Sequence, residues 1–381
     1  MERVNAVIVG AGVVGCAIAR ALSRKYSDVF VLEQLPKPGM LTSTRNSGVI
    51  HSGLYYPAGS LKARHCVRGN RLTYEFCAAH GVPHRRTGKV VVAANEEEIA
   101  ELEHLLALGT ANGVEALRII DRAALRQREP HVQGVAAIEI DSTGIVSSEE
   151  LVKAYARVAA EQGASLLTHT RVIRLEPLPD GVRIGMRTGE EDGQPGEEDV
   201  VETRCLVNSA GLFADEVAAL LGNTSWRIYP VRGEYCEVVR AKSGLIRGLV
   251  YPLPHPEGLS LGVHFTKTLH GTVLVGPTAR YIEDKNDYES NREPVEEFAR
   301  RAKILLPELE ASDLTPGYSG IRPKLVPPGP KPKGTGFADF VITHDAQFPQ
   351  VIHLVGIESP GLTAAPAIAE QVSEMVAAVL G

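Results

Sequence analysis

An α/β fold of two domains is what this 381-residue sequence predicts, and three observations predict it. Short apolar, β-branched runs alternate with helical stretches at both ends of the chain. The first of these runs ends in a Gly-x-Gly-x-x-Gly turn that leads into a helix. The centre instead carries strand patterns separated by Pro and Gly, with few helices between them. The ends therefore read as a helix-covered parallel sheet and the centre as an antiparallel one. Residues 1–84, 140–222 and 337–381 are assigned to a discontinuous, Rossmann-like nucleotide domain. Residues 85–139 and 223–336 are assigned to an α+β substrate domain.

Taken in order, residues 4–9 form a buried parallel strand, 13–26 a helix and 29–32 a second strand. Residues 42–57 are a loop rich in Ser, Thr, Gly and Tyr. Ser60 caps a helix to about residue 80, which Gly81 stops. Residues 89–94 are a strand and 96–108 an amphipathic helix. Asp121 caps a short helix that ends before Pro130. Ser147 and Glu150 form a capping-box pattern for a helix over 151–162. Strands follow at 165–176 and 181–188, with an acidic, Gly-rich hairpin tip over 189–199. Residues 206–208 are a strand running into Ser209-Ala210-Gly211. Pro294 opens a helix to about residue 306, and 326–336 is a Pro/Gly/Lys loop. Strands at 340–343 and 351–355 precede a final helix over 364–380.

A net charge of −6 offers no general attraction to nucleic acid or anionic lipid, so an anionic substrate needs a local cationic cluster. The five cysteines include no Cys-x-x-Cys pair, which argues against a disulfide framework or a zinc site and fits a reducing, cytoplasmic setting. No run is long and apolar enough to span a membrane, although a peripheral contact at the inner membrane face needs only a small patch. The first strand begins almost at Met1, so residues 4–22 are not read as a targeting segment.

The motif Gly10-Ala11-Gly12-Val13-Val14-Gly15 lies between a strand and a helix. Its first glycine permits the turn, its second admits a pyrophosphate and its third lets helix and strand pack closely. Glu33 closes the second strand and suits a ribose hydroxyl. A nicotinamide enzyme would resume the βαβ pattern at once. Here the chain enters the hydroxyl-rich stretch from Thr42 to Gly53, which can line an extended flavin dinucleotide, with Ser47 and Gly48 close to it. Asn208-Ser209-Ala210-Gly211 and Gly356-Ile357-Glu358-Ser359-Pro360-Gly361-Leu362-Thr363 are small-residue turns where backbone can approach a cofactor. The second directly precedes a helix, whose N-terminus favours the flavin edge where negative charge collects. FAD, held non-covalently, is the cofactor expected.

The stretches NSGVIHSGLYY (46–56), SLKARHC (60–66), PVRGEY (230–235), LGVHFT (261–266) and IESPGLT (357–363) carry a resemblance that spans nearly the whole chain. They are similar to the D-amino-acid-oxidase-like superfamily of FAD oxidoreductases, and within it most like the L-2-hydroxyglutarate dehydrogenases. Gly320-Ile321-Arg322-Pro323-Lys324 resembles one branch of that group, whereas another carries Arg-Ala-Gln there. The resemblance implies oxidation of a 2-hydroxy acid by hydride transfer to flavin N5, and adds Gln34, Thr44, Asn46 and Val172 as cofactor contacts.

Such a reaction needs a proton acceptor and a carboxylate clamp. His264, on a strand, and His51, in the flavin loop, are the candidate bases. Arg322, stiffened by Pro323, is the candidate clamp. Lys324, Arg232, Lys267 and Lys62 are weaker anchors that read more readily as solvated charges, and Tyr55, Tyr56 and Tyr251 are candidate pocket walls. An amine or amino-acid oxidase on the same fold stays open, as does a flavin-binding subunit without turnover. The electron acceptor is open among oxygen, a quinone and a carrier protein. No metal site is expected.

Overall fold

The computed structural model describes residues 3–189, 196–254, 262–329 and 337–381. Most of the anticipated hairpin tip, the second half of the 326–336 loop, and Leu261 of the LGVHFT stretch lie outside the described residues. One sheet is built around parallel neighbours in the order Val351–Val355, Glu197–Asn208, Arg3–Val9, Val29–Leu32 and Ser165–Leu167. Its side chains alternate between two cores, as a pleated strand dictates. Ala6 and Ile8 join the helices Val13–Ser23, Ser148–Glu161 and Gly361–Leu380 on one face. Val7 and Val9 meet the hairpin of Thr170–Leu178 and Gly181–Thr188 on the other. Both faces are covered, which is why the strand reads as an unbroken apolar run.

The second sheet runs Arg280–Tyr281, Tyr229–Val238, Val273–Gly276, His264–Lys267, Leu249–Pro252, Lys89–Ala93, Ala136–Ile140 and Leu117–Asp121, with Leu314–Lys324 also paired to Tyr229–Val238. Its pairs are antiparallel except for Leu249–Pro252 beside Lys89–Ala93. Val90 and Val92 pack toward Phe298 of the Val295–Ala302 helix, and Val91 and Ala93 toward Leu102 and Leu105 of the Ile99–Ala111 helix.

Several expected boundaries move for identifiable reasons. The strand expected over 165–176 is broken, because His169 turns left-handed at φ 50°. Ser165–Leu167 therefore ends the parallel sheet while Thr170–Leu178 starts the hairpin. The strand expected at 206–208 begins at Glu197, since its polar first half pairs with the hairpin and carries no apolar run. The first helix ends at Ser23, the helix after Pro294 at Ala302, and the last helix starts at Gly361. The helix expected from residue 96 begins as a tight turn and becomes α-helical at Ile99. Inside the 42–57 loop, Val49–Ile50 pairs with Gly144–Val146, which also pairs with His84–Arg85 in a three-stranded sheet. The Ser60 and Asp121 caps form as expected, accepting from Ala63 N at 3.1 Å and Ala124 N at 2.8 Å. All five cysteines are buried and unpaired.

Candidate active site

The nucleotide turn is built by close backbone approach. Gly10 sits at φ +97°, and a Cβ on Gly15 would fall 1.9 Å from the Gly10 carbonyl oxygen. The helix after this turn has Ser43 Oγ accepting from Val13 N at 2.9 Å. Glu33 Oε2 accepts from Ala11 N at 2.8 Å and Oε1 from Leu35 N at 2.9 Å, so the carboxylate is aimed into the turn with acceptor capacity left over. Burial raises its pKa, and those two amides oppose the rise.

Two cavities meet here. One, of about 480 Å³, is lined by Gly10, Glu33, Gln34, Val172 and Ala210. The other, of about 540 Å³, is lined by Val13, Val14, Asn46 and Ser47, and beyond them by Ser359, Pro360, Gly361 and Leu362 at the start of the last helix. Gly12, Thr42, Ser43, Ser209 and Gly211 line both. A Cβ on Gly211, at φ +56°, would meet no atom within 4 Å. Two adjoining spaces bordered by the starts of two helices, at Val13 and at Gly361, fit a dinucleotide.

Four of the residues expected at the cofactor line neither cavity and act from behind. Gly15 seats the helix on the strand. Thr44 Oγ1 donates to Gly39 O at 2.7 Å. Gly48 N donates to Asn46 Oδ1 at 2.9 Å. Thr363 Oγ1 accepts from His51 N at 2.9 Å, tying the flavin loop to the last helix.

The far part of the larger cavity carries the candidate chemistry, with His51, Tyr55, Tyr56, Tyr251, His264, Arg322 and Lys324 in its wall. His264 is 5% exposed and stacks on Tyr251 with ring centres 3.7 Å apart. Its Nδ1 donates to Gly262 O at 2.9 Å, which leaves the Nε2 lone pair unprotonated in the neutral ring. His51 Nε2 lies 3.5 Å from Ser359 Oγ. Burial lowers the pKa of each histidine to about 3, helped for His51 by Lys89 and His264 and for His264 by Lys89 and Arg322. Both are neutral near pH 7.

Arg322 donates to Thr278 O at 3.1 Å and is paired with no carboxylate among the described residues. Gly233, across the strand pair, leaves room for it: a Cβ there would lie 2.7 Å from the guanidinium.

Three of the four secondary anchors, Lys324, Lys62 and Arg232, are buried, and Lys267 is half-buried. Lys324 and Lys62 both reach Glu358 Oε1 at 3.0 Å and are nearly buried, so Lys324 is a shared rather than a free cation. Burial raises the Glu358 pKa, but the two ammoniums hold it down at about 2. Arg232 is fully buried and pairs with Glu234 and Asp287, and Lys267 donates to Ser243 O; neither lines a cavity. Structure adds Arg45 to the cavity wall, Ser43 to the turn and Glu358 as the counter-charge. Ser43 and Arg45 lie in the hydroxyl-rich loop, but nothing in their spacing marks them from their neighbours.

A dinucleotide-shaped space opening into a cationic pocket with two neutral histidines defines a nucleotide-dependent redox enzyme. The chain belongs to the family of FAD-dependent oxidoreductases, whose profile, described as DAO: FAD dependent oxidoreductase, matches residues 5–375. Its cofactor is FAD. The mitochondrial L-2-hydroxyglutarate dehydrogenase of Arabidopsis thaliana is 35% identical, spanning 98% of this chain and 83% of its own. The L-2-hydroxyglutarate dehydrogenase of Indibacter alkaliphilus is 31% identical over 97% of both chains. Among solved structures, dithionite-reduced L-alpha-glycerophosphate oxidase from Mycoplasma pneumoniae with FAD bound superposes with a TM-score of 0.86 at 28% identity, covering 99% of this chain and 95% of that one. Glycine oxidase from Geobacillus kaustophilus, at 21% identity and TM-score 0.80 over 99% and 95% of the chains, shares the fold.

Proposed function

We propose that the protein oxidises L-2-hydroxyglutarate to 2-oxoglutarate. The observation that carries this reading is the Arg322 guanidinium, which pairs with no carboxylate among the described residues and lines the same cavity as a neutral His264. Bound FAD supplies the acceptor for the hydride that leaves C2 of the substrate. The guanidinium fork holds one carboxylate through two parallel bonds and so orients C2. Nε2 of His264, the ring nitrogen without a hydrogen, takes the hydroxyl proton, and the Gly262 carbonyl keeps the imidazole in that tautomer. His51 faces the same space and is the alternative proton acceptor. The similarity to L-2-hydroxyglutarate dehydrogenases of 31–35% identity supports the choice of substrate.

The strands of the two large sheets support the domain bounds we propose, 1–84, 140–222 and 337–381 for the FAD domain and 85–139 and 223–336 for the substrate domain, although Ala136–Ile140 and His84–Arg85 each straddle a bound. No helix among the described residues is long and apolar enough to cross a membrane. Five buried free thiols support a reducing compartment. Oxygen, a quinone or a carrier protein serves as the acceptor that reoxidises the enzyme.

The test is anaerobic mixing of the yellow enzyme with L-2-hydroxyglutarate, L-lactate and L-glutamate while flavin absorbance is followed. L-2-hydroxyglutarate should bleach it fastest at equal concentration. Lactate reacting as fast removes the dicarboxylate requirement, and glutamate reacting as fast makes the protein an amino-acid oxidase.

A further inference from the structure

Behind the cavity wall lies a buried cation that the reaction just described does not use. Lys89 opens the Lys89–Ala93 strand and is 1% exposed. It forms no ion pair among the described residues. Its Nζ is 3.3 Å from the Tyr55 hydroxyl and lies over two rings, 4.5 Å from the centre of Tyr55 and 4.7 Å from that of Tyr251. A strand end that needed only packing would carry an apolar residue, because a buried ammonium without a carboxylate is costly. Burial lowers its pKa to about 7, and the groups it faces are Tyr55, Tyr251, His51, His264 and the Cys66 thiol.

Donor chemistry sets the direction of the contact. Below about pH 7 the amine is an ammonium, with hydrogens to give and no lone pair to accept with, so the phenol oxygen of Tyr55 is the acceptor. The Tyr55 O–H must then point elsewhere, and it finds no acceptor among the described residues. Tyr55 lines the larger cavity, so that hydrogen is available to a ligand there. A phenol that accepts from a cation is a stronger donor than a free one.

We propose that Lys89 is a positioning residue for substrate recognition: it turns the Tyr55 hydroxyl into the cavity, where that hydroxyl binds the carboxylate of a dicarboxylate substrate that Arg322 does not hold. The inference rests on the hydroxy-dicarboxylate reading and deepens it. It explains how a far carboxylate is bound although Lys324 and Lys62 are both committed to Glu358.

Tyr55→Phe, Lys89→Met and the double variant test it. Binding of glutarate, a dicarboxylate that cannot be oxidised, is titrated by its perturbation of flavin absorbance, and kcat and KM are measured with L-2-hydroxyglutarate. Each single variant should weaken glutarate binding and raise KM by about tenfold, the scale of one charge-assisted hydrogen bond, with kcat little changed. The double variant should be no worse than either single one. Unchanged glutarate affinity in either single variant overturns the proposal, as does a double variant whose losses multiply. Should Lys89→Met not fold, unchanged affinity in Tyr55→Phe overturns it alone. A wild-type enzyme that L-2-hydroxyglutarate fails to reduce overturns the functional reading and this inference with it. Normal reduction beside unaltered variants overturns the role of Lys89 only.

Discussion

At His264 burial keeps the imidazole neutral and its lone pair open, at a cost in basicity. A ring whose pKa has fallen to about 3 arrives at neutral pH with an open lone pair, and the Gly262 carbonyl decides which nitrogen carries it. Replacing His264 with Ala should slow flavin reduction by roughly 100-fold under single-turnover conditions, the usual scale for a general base, with less effect on binding. A normal rate in that variant beside a dead His51→Ala would move the role to His51. The same depressed pKa makes stability depend on pH. The unfolded chain takes up the His264 proton below about pH 6.5, while the folded chain resists to about pH 3, so stability present above pH 6.5 is lost as pH falls across that window. At pH 5 this amounts to about 2 kcal/mol. The urea midpoint of the wild-type holoenzyme should therefore drop more between pH 7 and pH 5 than that of His264→Gln, and equal drops would contradict the assignment. His264 was singled out in the sequence chiefly by the resemblance its motif carries and Arg322 by the neighbouring Pro323, and both line the larger cavity. Lys89 and Glu358 were not, since a charge at the end of an apolar strand, or in a small-residue turn, normally reaches solvent. Only tertiary packing reveals that Lys89 is buried and Glu358 nearly so.

The elements around the cofactor are placed by contacts at which no side chain fits. The helix after the nucleotide turn crosses its strand so closely that a Cβ on Gly15 would fall 1.9 Å from a backbone oxygen. The Leu61–His80 helix approaches the last helix in the same way, with a Cβ on Gly69 falling 2.2 Å from the Thr363 carbonyl oxygen. That second crossing fixes where the N-terminus of the last helix points. Gly12, by comparison, faces the movable Ser43 hydroxyl at 2.9 Å. Gly15→Ala should therefore strip FAD from the protein by tilting the helix whose N-terminus borders the pyrophosphate space. Flavin content after purification reads this directly, and wild-type occupancy would show that the crossing tolerates a methyl group. The glycine motif and the caps at Ser60 and Asp121 were legible because each acts within a few residues. The break at His169 and the polar half of the Glu197–Asn208 strand were not, because each answers to a partner strand far away in sequence.

Across the molecule, the binding space belongs to no single segment. The two cavities take residues from the first turn at Gly10, the loop from Thr42, the turn at Ser209, the strands bearing His264 and Arg322, and the last helix at Gly361. Chain connectivity alone does not clamp these pieces together. The Thr42 hydroxyl reaches Ile321 O at 2.9 Å and the Tyr318 hydroxyl reaches Asn46 O at 2.7 Å, so the flavin loop already bridges the two sheets. A ligand lying along that loop touches both sheets at once and binds only when both are folded. Mass action then requires the folded state to gain RT ln(1 + [FAD]/Kd), about 2.7 kcal/mol when free FAD is a hundredfold above Kd. Added FAD should raise the melting temperature of the apoprotein in proportion to the logarithm of its concentration. It should also merge any separate unfolding of the two sheets into one transition, because losing either sheet releases the same ligand. Calorimetry of apoprotein over a range of FAD concentrations tests both statements. A second, FAD-independent transition that persists at saturation would mean that the substrate sheet folds apart from the cofactor, and that the cavities are held together by the loop contacts alone.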